Sequence, residues 1–98
     1  MYNHVILFRL KPGVTLDRVR SAREELSRLV ETLPGVVEFA VTDNLAEQSK
    51  GFTLALFSVF ENEQASQICR RHPEYIRVWN ELLEPVVEDC IVAEGKSE

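Results

Sequence analysis

The stretches His4-Val5-Ile6-Leu7-Phe8-Arg9-Leu10 and Phe52-Thr53-Leu54-Ala55-Leu56-Phe57-Ser58-Val59-Phe60 decide the fold. Successive side chains of a strand point to opposite faces. In the first stretch His4, Ile6, Phe8 and Leu10 point one way, and Val5 and Leu7 the other. In the second, Phe52, Leu54, Leu56 and Phe60 oppose Ala55, Phe57 and Val59. Both faces of both strands are apolar, so the sheet that contains them needs cover on each side.

Working outward, Lys11-Pro12-Gly13 breaks the first strand, and from Thr15 the period lengthens to that of a helix. Val19, Ala22, Leu26, Leu29, Val30 and Leu33 share one side of it, with charged residues opposite. Thr15 is the expected N-cap, Asp17 supports the first turn, and Pro34-Gly35 ends the helix. A second strand is expected over residues 36–42, a polar loop over 43–51 and the third strand over 52–60. Asn62 can cap a short helix whose apolar positions are Ala65, Ile68 and Cys69. That helix must end by His72, because a proline pushes its predecessor out of the α region. Pro73 is suited to open the next helix, in which Tyr75, Ile76, Trp79, Leu82 and Leu83 line one side as far as Pro85. The last strand is expected over 86–93, followed by a frayed tail, Glu94 to Glu98.

The order β-α-β-β-α-α-β predicts a ferredoxin-like α+β fold, a split βαβ sandwich with right-handed crossovers and helices on one sheet face only. One helical layer leaves the second apolar face bare, and a bare patch of that size is unusual on a soluble monomer. A second copy of the chain is the simplest cover, so the expected assembly is a homodimer.

Composition narrows the partners. The 98 residues make room for one domain, with an ordered core expected from about residue 3 to 93. A net charge of −5 argues against nucleic acid or an anionic membrane as the partner. The N-terminal apolar run has no basic segment before it and reads as a strand rather than a signal peptide. No run approaches the ~18 apolar residues of a membrane span. Cys69 and Cys90 lack metal-ligand spacing and read as free thiols, which fits a cytoplasmic protein. Glu38, Glu88 and Asp89 form no oxygen-ligand loop, so no metal site is expected. No phosphate loop or other cofactor signature is present in the sequence, and no cofactor is expected.

The chain resembles the stress-responsive dimeric α/β-barrel (Dabb) family. The matching residues are His4 with its strand ending in Lys11-Pro12-Gly13, then Pro34-Gly35-Val36, Asn44 and Gly51-Phe52. Phe60-Glu61, His72-Pro73, Pro85 and Asp89 complete the set. The resemblance implies two chains whose sheets pack into a barrel. It also implies a pocket between the sheet and its helices, where a plant polyketide cyclase of the family performs acid–base chemistry. His4 corresponds to that enzyme's strand-one His. Tyr75 stands where the cyclase has its basic His, and Cys69 where it has a pocket Tyr, so two of its principal groups are replaced.

Three function classes follow. The first is binding of a small apolar or aromatic molecule in a pocket lined by Ile6, Phe8, Leu26, Leu56 and Ile68, with Cys69, Tyr75 and Trp79. The second is a cofactor-free acid–base enzyme of cyclase, isomerase or decarboxylase type. His4 would carry its proton near neutral pH, and Tyr75 would donate a hydrogen bond. The third is a structural stress protein whose assembly is its function. Against these stand plainer roles: His4 as a hydrogen-bonded core imidazole, Cys69 as an inert buried thiol, Trp79 as packing, and His72 as the cap of the helix that begins at Pro73.

Overall fold

The computed structural model describes residues 1–97. Its four strands are β1 (Tyr2–Leu10), β2 (Val36–Asp43), β3 (Leu54–Phe60) and β4 (Val87–Lys96), and its helices are α1 (Arg20–Glu31), α2 (Glu63–Arg71) and α3 (Pro73–Val78). The strands form one antiparallel sheet in the order β2-β3-β1-β4. This is the ferredoxin-like arrangement expected from the element order. The two most apolar strands, β1 and β3, lie side by side in the middle, where both faces need cover.

Burial alternates along β1 as predicted, with Tyr2, His4, Ile6 and Phe8 inside and the intervening residues half-buried. On β3 the same helix-side face carries Leu54, Leu56, Ser58 and Phe60, all buried. The apolar ones among them join Val19, Ala22, Leu26 and Val30 from the α1 region, and Tyr75, Val78 and Leu83 from the α3 region, in one continuous core. On the opposite face, antiparallel register brings Val5, Leu7, Phe57, Ile91 and Ala93 together. Phe57 is 46% exposed and Ile91 50% exposed. A Cα thickness of 16 Å leaves room for one sheet and one helical layer. No helix among the described residues is long and apolar enough to cross a membrane.

Local signals acted largely as expected at the helix starts. Asn62 caps α2 through a hydrogen bond from the Ala65 N–H, 2.8 Å. The His72 Nδ1 accepts from the Glu74 N–H at 3.1 Å and so caps α3, with Pro73 as its first residue. Gly35 adopts φ +81° and leaves no space for a side chain, since a Cβ there would stand 2.6 Å from that of Ala65.

Several boundaries differ. Thr15 makes no side-chain cap; a 3-10 turn, Leu16–Val19, intervenes before α1, and Asp17 pairs with Arg20. The third strand begins at Leu54 rather than Phe52, because Phe52 closes the preceding turn. Its N–H donates to the Ser49 carbonyl and its own carbonyl accepts from Asn44 Nδ2. The helix opened by Pro73 continues beyond α3 as a π-helical segment, Trp79–Leu83. The wider π turn shifts the helical phase, so Val78 is buried while Ile76 faces outward. The tail expected to fray is instead paired: Glu94, Gly95 and Lys96 oppose His4, Asn3 and Tyr2. Ser97 and Met1 exchange backbone hydrogen bonds of 2.9 and 2.6 Å. The start of β1 would otherwise lack an outer ladder partner. Glu98 lies outside the described residues.

Candidate functional site

His4 sits at the third position of β1, 3% exposed, on the helix side of the sheet. Register places Ser58 of β3 opposite it on one flank and Glu94 of β4 on the other. A polar row, Ser58–His4–Glu94, thus crosses a face whose next rows are Leu56–Ile6–Val92 and Leu54–Phe8–Cys90. The Ser58 hydroxyl donates to the His4 carbonyl at 2.9 Å. The His4 Nε2 lies 3.5 Å from Glu94 Oε1, and that same oxygen receives the Arg70 guanidinium at 2.9 Å. Arg70 and Glu94 are each about one third exposed, so the row runs from the interior to a charged rim at the β4 edge.

Helix α2 roofs this row. Its buried residues are Ala65, Ser66 and Cys69, and Arg70 stands one turn after Ser66. Ser66 is fully buried, and neither its Oγ nor Arg70 Nε has a hydrogen-bond partner among the described residues. Buried polar atoms are nearly always partnered, so these two mark a place able to take a polar group.

The electrostatics follow from burial. Burial and the nearby Arg70 charge lower the His4 pKa from 6.5, against the pull of Glu94, which leaves a neutral imidazole at pH 7. Burial pushes the Cys69 thiol up to about 11 despite Arg70, so it is not a thiolate nucleophile. Tyr75 is pushed up to about 12, chiefly by burial and then by Cys69, and stays a phenol that can donate a hydrogen bond. Tyr2, two residues before His4, is also raised, by burial first and then by Glu94.

The structure gathers most of the residues singled out in the sequence, but as a packed core rather than the walls of a cavity. Ile6, Phe8, Leu26, Leu56, Cys69 and Tyr75 belong to one buried cluster. Trp79 packs against its margin, with its ring 5.7 Å from that of Phe8. Ile68 does not join them; the phase of α2 turns Ala65, Ser66 and Cys69 inward and leaves Ile68 55% exposed. An open depression of about 490 Å³ lies elsewhere, at the sheet end between Met1–Tyr2, residues 61–64 and Lys96–Ser97. Ser66, Arg70 and Glu94 were not anticipated from sequence. The signal for the row was Ser58 interrupting an apolar run, whereas Glu94 depends on strand register.

The sequence model of the family described as Stress responsive A/B Barrel Domain matches residues 2–97. No curated protein matches. Among solved structures, the chain is similar to a dimeric ferredoxin-like protein of unknown function from Jannaschia sp. CCS1, with TM-score 0.85, 20% identity and 98% of each chain covered. A dimeric protein of unknown function and ferredoxin-like fold from Bacteroides fragilis has TM-score 0.82 at 21% identity, covering 98% of this chain and 95% of that one. Hydroxynitrile lyase from Passiflora edulis has TM-score 0.80 at 18% identity, covering 96% and 90%. At these identities the likeness bears on the fold alone.

Proposed function

The chain belongs to the stress responsive A/B barrel domain family, and on that footing we propose that it acts as a homodimer that binds a small, largely apolar molecule on the helix side of its sheet. The observation that carries this reading is the polar row at His4, buried beneath α2 with the Ser66 hydroxyl unpartnered among the described residues. A neutral buried imidazole and a phenol in an apolar setting suit a ligand with one polar feature. The bare apolar sheet face supports the dimer, as does the dimeric state named for the Jannaschia and Bacteroides proteins.

Acid–base catalysis is the second reading, favoured by the lowered His4 pKa, which leaves a free base at neutral pH. His4 would take the proton and the Tyr75 hydroxyl would hold the substrate's oxygen. A structural role is the competing reading, favoured by the close packing of Ile6, Phe8, Leu26 and Leu56. The test is a small-molecule screen followed by amide chemical shifts of the labelled protein. The binding reading expects shifts centred on His4, Ser66 and Tyr75, weakened by His4→Gln. A screen whose hits all map away from these residues would overturn it. Turnover of any hit, lost in His4→Gln, would establish catalysis.

A further inference from the structure

Resting on that reading, we propose that the bound molecule offers an uncharged hydrogen-bond acceptor, such as a ketone or ester carbonyl, to Ser66 and Arg70, and lays its apolar body along the helix side of β4 beside Ile6. Three observations lead there. The Ser66 hydroxyl and Arg70 Nε–H are donors one turn apart on α2, both buried and both without partners among the described residues. Two unpartnered donors on neighbouring turns of one helix call for an acceptor. The Arg70 charge is already matched by Glu94 at 2.9 Å, and His4 adds none, so the site has no net charge to offset that of a carboxylate. An ammonium would find Arg70 in its way, and burying either unpaired charge is costly. Finally, Val92 pairs with Ile6 on the helix-side face, yet is 51% exposed where Ile6 is 3% exposed. The helix-side face of β4 at Val92 is thus an exposed apolar surface on which an apolar body can lie beside the core.

The experiment compares 2-acetylnaphthalene, naphthalene and 2-naphthoate at neutral pH, each titrated into the labelled protein and followed at the amides of His4, Val92 and Glu94. The ketone is expected to bind at least about tenfold tighter than either of the others, since one neutral hydrogen bond alone is worth about that factor. Ser66→Ala removes one of the two donors and should cut the ketone's advantage over naphthalene severalfold. Glu94→Gln leaves Arg70 unmatched and should reverse the order in favour of 2-naphthoate. A wild-type protein that prefers 2-naphthoate, or a ratio unmoved by Glu94→Gln, would overturn the neutral-acceptor proposal and leave a helix-side site standing. Shifts away from His4 and Val92 with all three probes would overturn the site itself.

Discussion

At the scale of single residues, His4 is the group whose altered titration bears on stability near neutral pH. Burial and Arg70 press its pKa below 6.5, while Glu94 opposes them. In the unfolded chain the imidazole returns to its ordinary value. Below pH 6.5, therefore, the unfolded state takes up a proton that the native state resists, and stability falls as pH drops through that value and below. Denaturant titrations between pH 8 and 5 should show this loss, and His4→Gln should flatten it; equal slopes for the two proteins would show that His4 is not held neutral by the fold. This behaviour was half legible in the sequence. Alternation along β1 placed His4 on an apolar face, so burial could be read. Its neighbours could not be. Glu94 becomes a neighbour only through the register of β4, and Ser66 and Arg70 only through the phase of α2. Neither is a property of a local stretch.

Elements are fixed by their ends, and two junctions here make different demands. At His72-Pro73 the chain leaves α2 in an extended conformation (φ −63°, ψ 134°) and re-enters a helix capped by the His72 imidazole. His72→Ala should cost about 1 kcal/mol, as lost caps typically do, without weakening ligands bound at His4. A large loss of binding at unchanged melting temperature would instead make His72 part of the site. At Pro34-Gly35 the constraint is steric. A side chain on Gly35 would meet Ala65 of α2 at 2.6 Å and would also sit at positive φ. Gly35→Ala should destabilise by about 2–4 kcal/mol from strain and overpacking together, seen as a lower denaturant midpoint; a midpoint within error of the parent would mean that α2 can shift away. Caps and breakers are short-range signals, which is why Asn62, Pro73 and Gly35 were readable. The π-helical segment was not. Its i→i+5 bonding leaves no mark in apolar spacing, and it moved Val78 inward in place of Ile76.

On the scale of the whole molecule, the two apolar faces of β1 and β3 are covered unequally. The helix-side face of the sheet is satisfied by the chain's own core, whereas the other face presents Val5, Leu7, Phe57, Ile91 and Ala93 with no helix over them among the described residues. That imbalance was visible in the sequence because period-two alternation is strict, and the register of β1 with β3 only made the patch contiguous. An apolar surface in the middle of a sheet is a poor boundary with water, and a symmetric copy buries it twice at once. Light scattering at low micromolar concentration should therefore give about twice the 11.2 kDa chain mass; a value near that of one chain would end the dimer proposal. Phe57 sits opposite Val5 and is half-exposed in the single chain, so Phe57→Asp need not disturb the chain's own core. Buried in a dimer, the same carboxylate would lose its hydration. The expected outcome is a folded or partly folded monomer, seen as halved mass with retained helical circular dichroism, or outright unfolding if the monomer cannot stand alone. A Phe57→Asp protein that stays a stable dimer would mean that the copies meet through another surface, and that something other than this chain covers the open face.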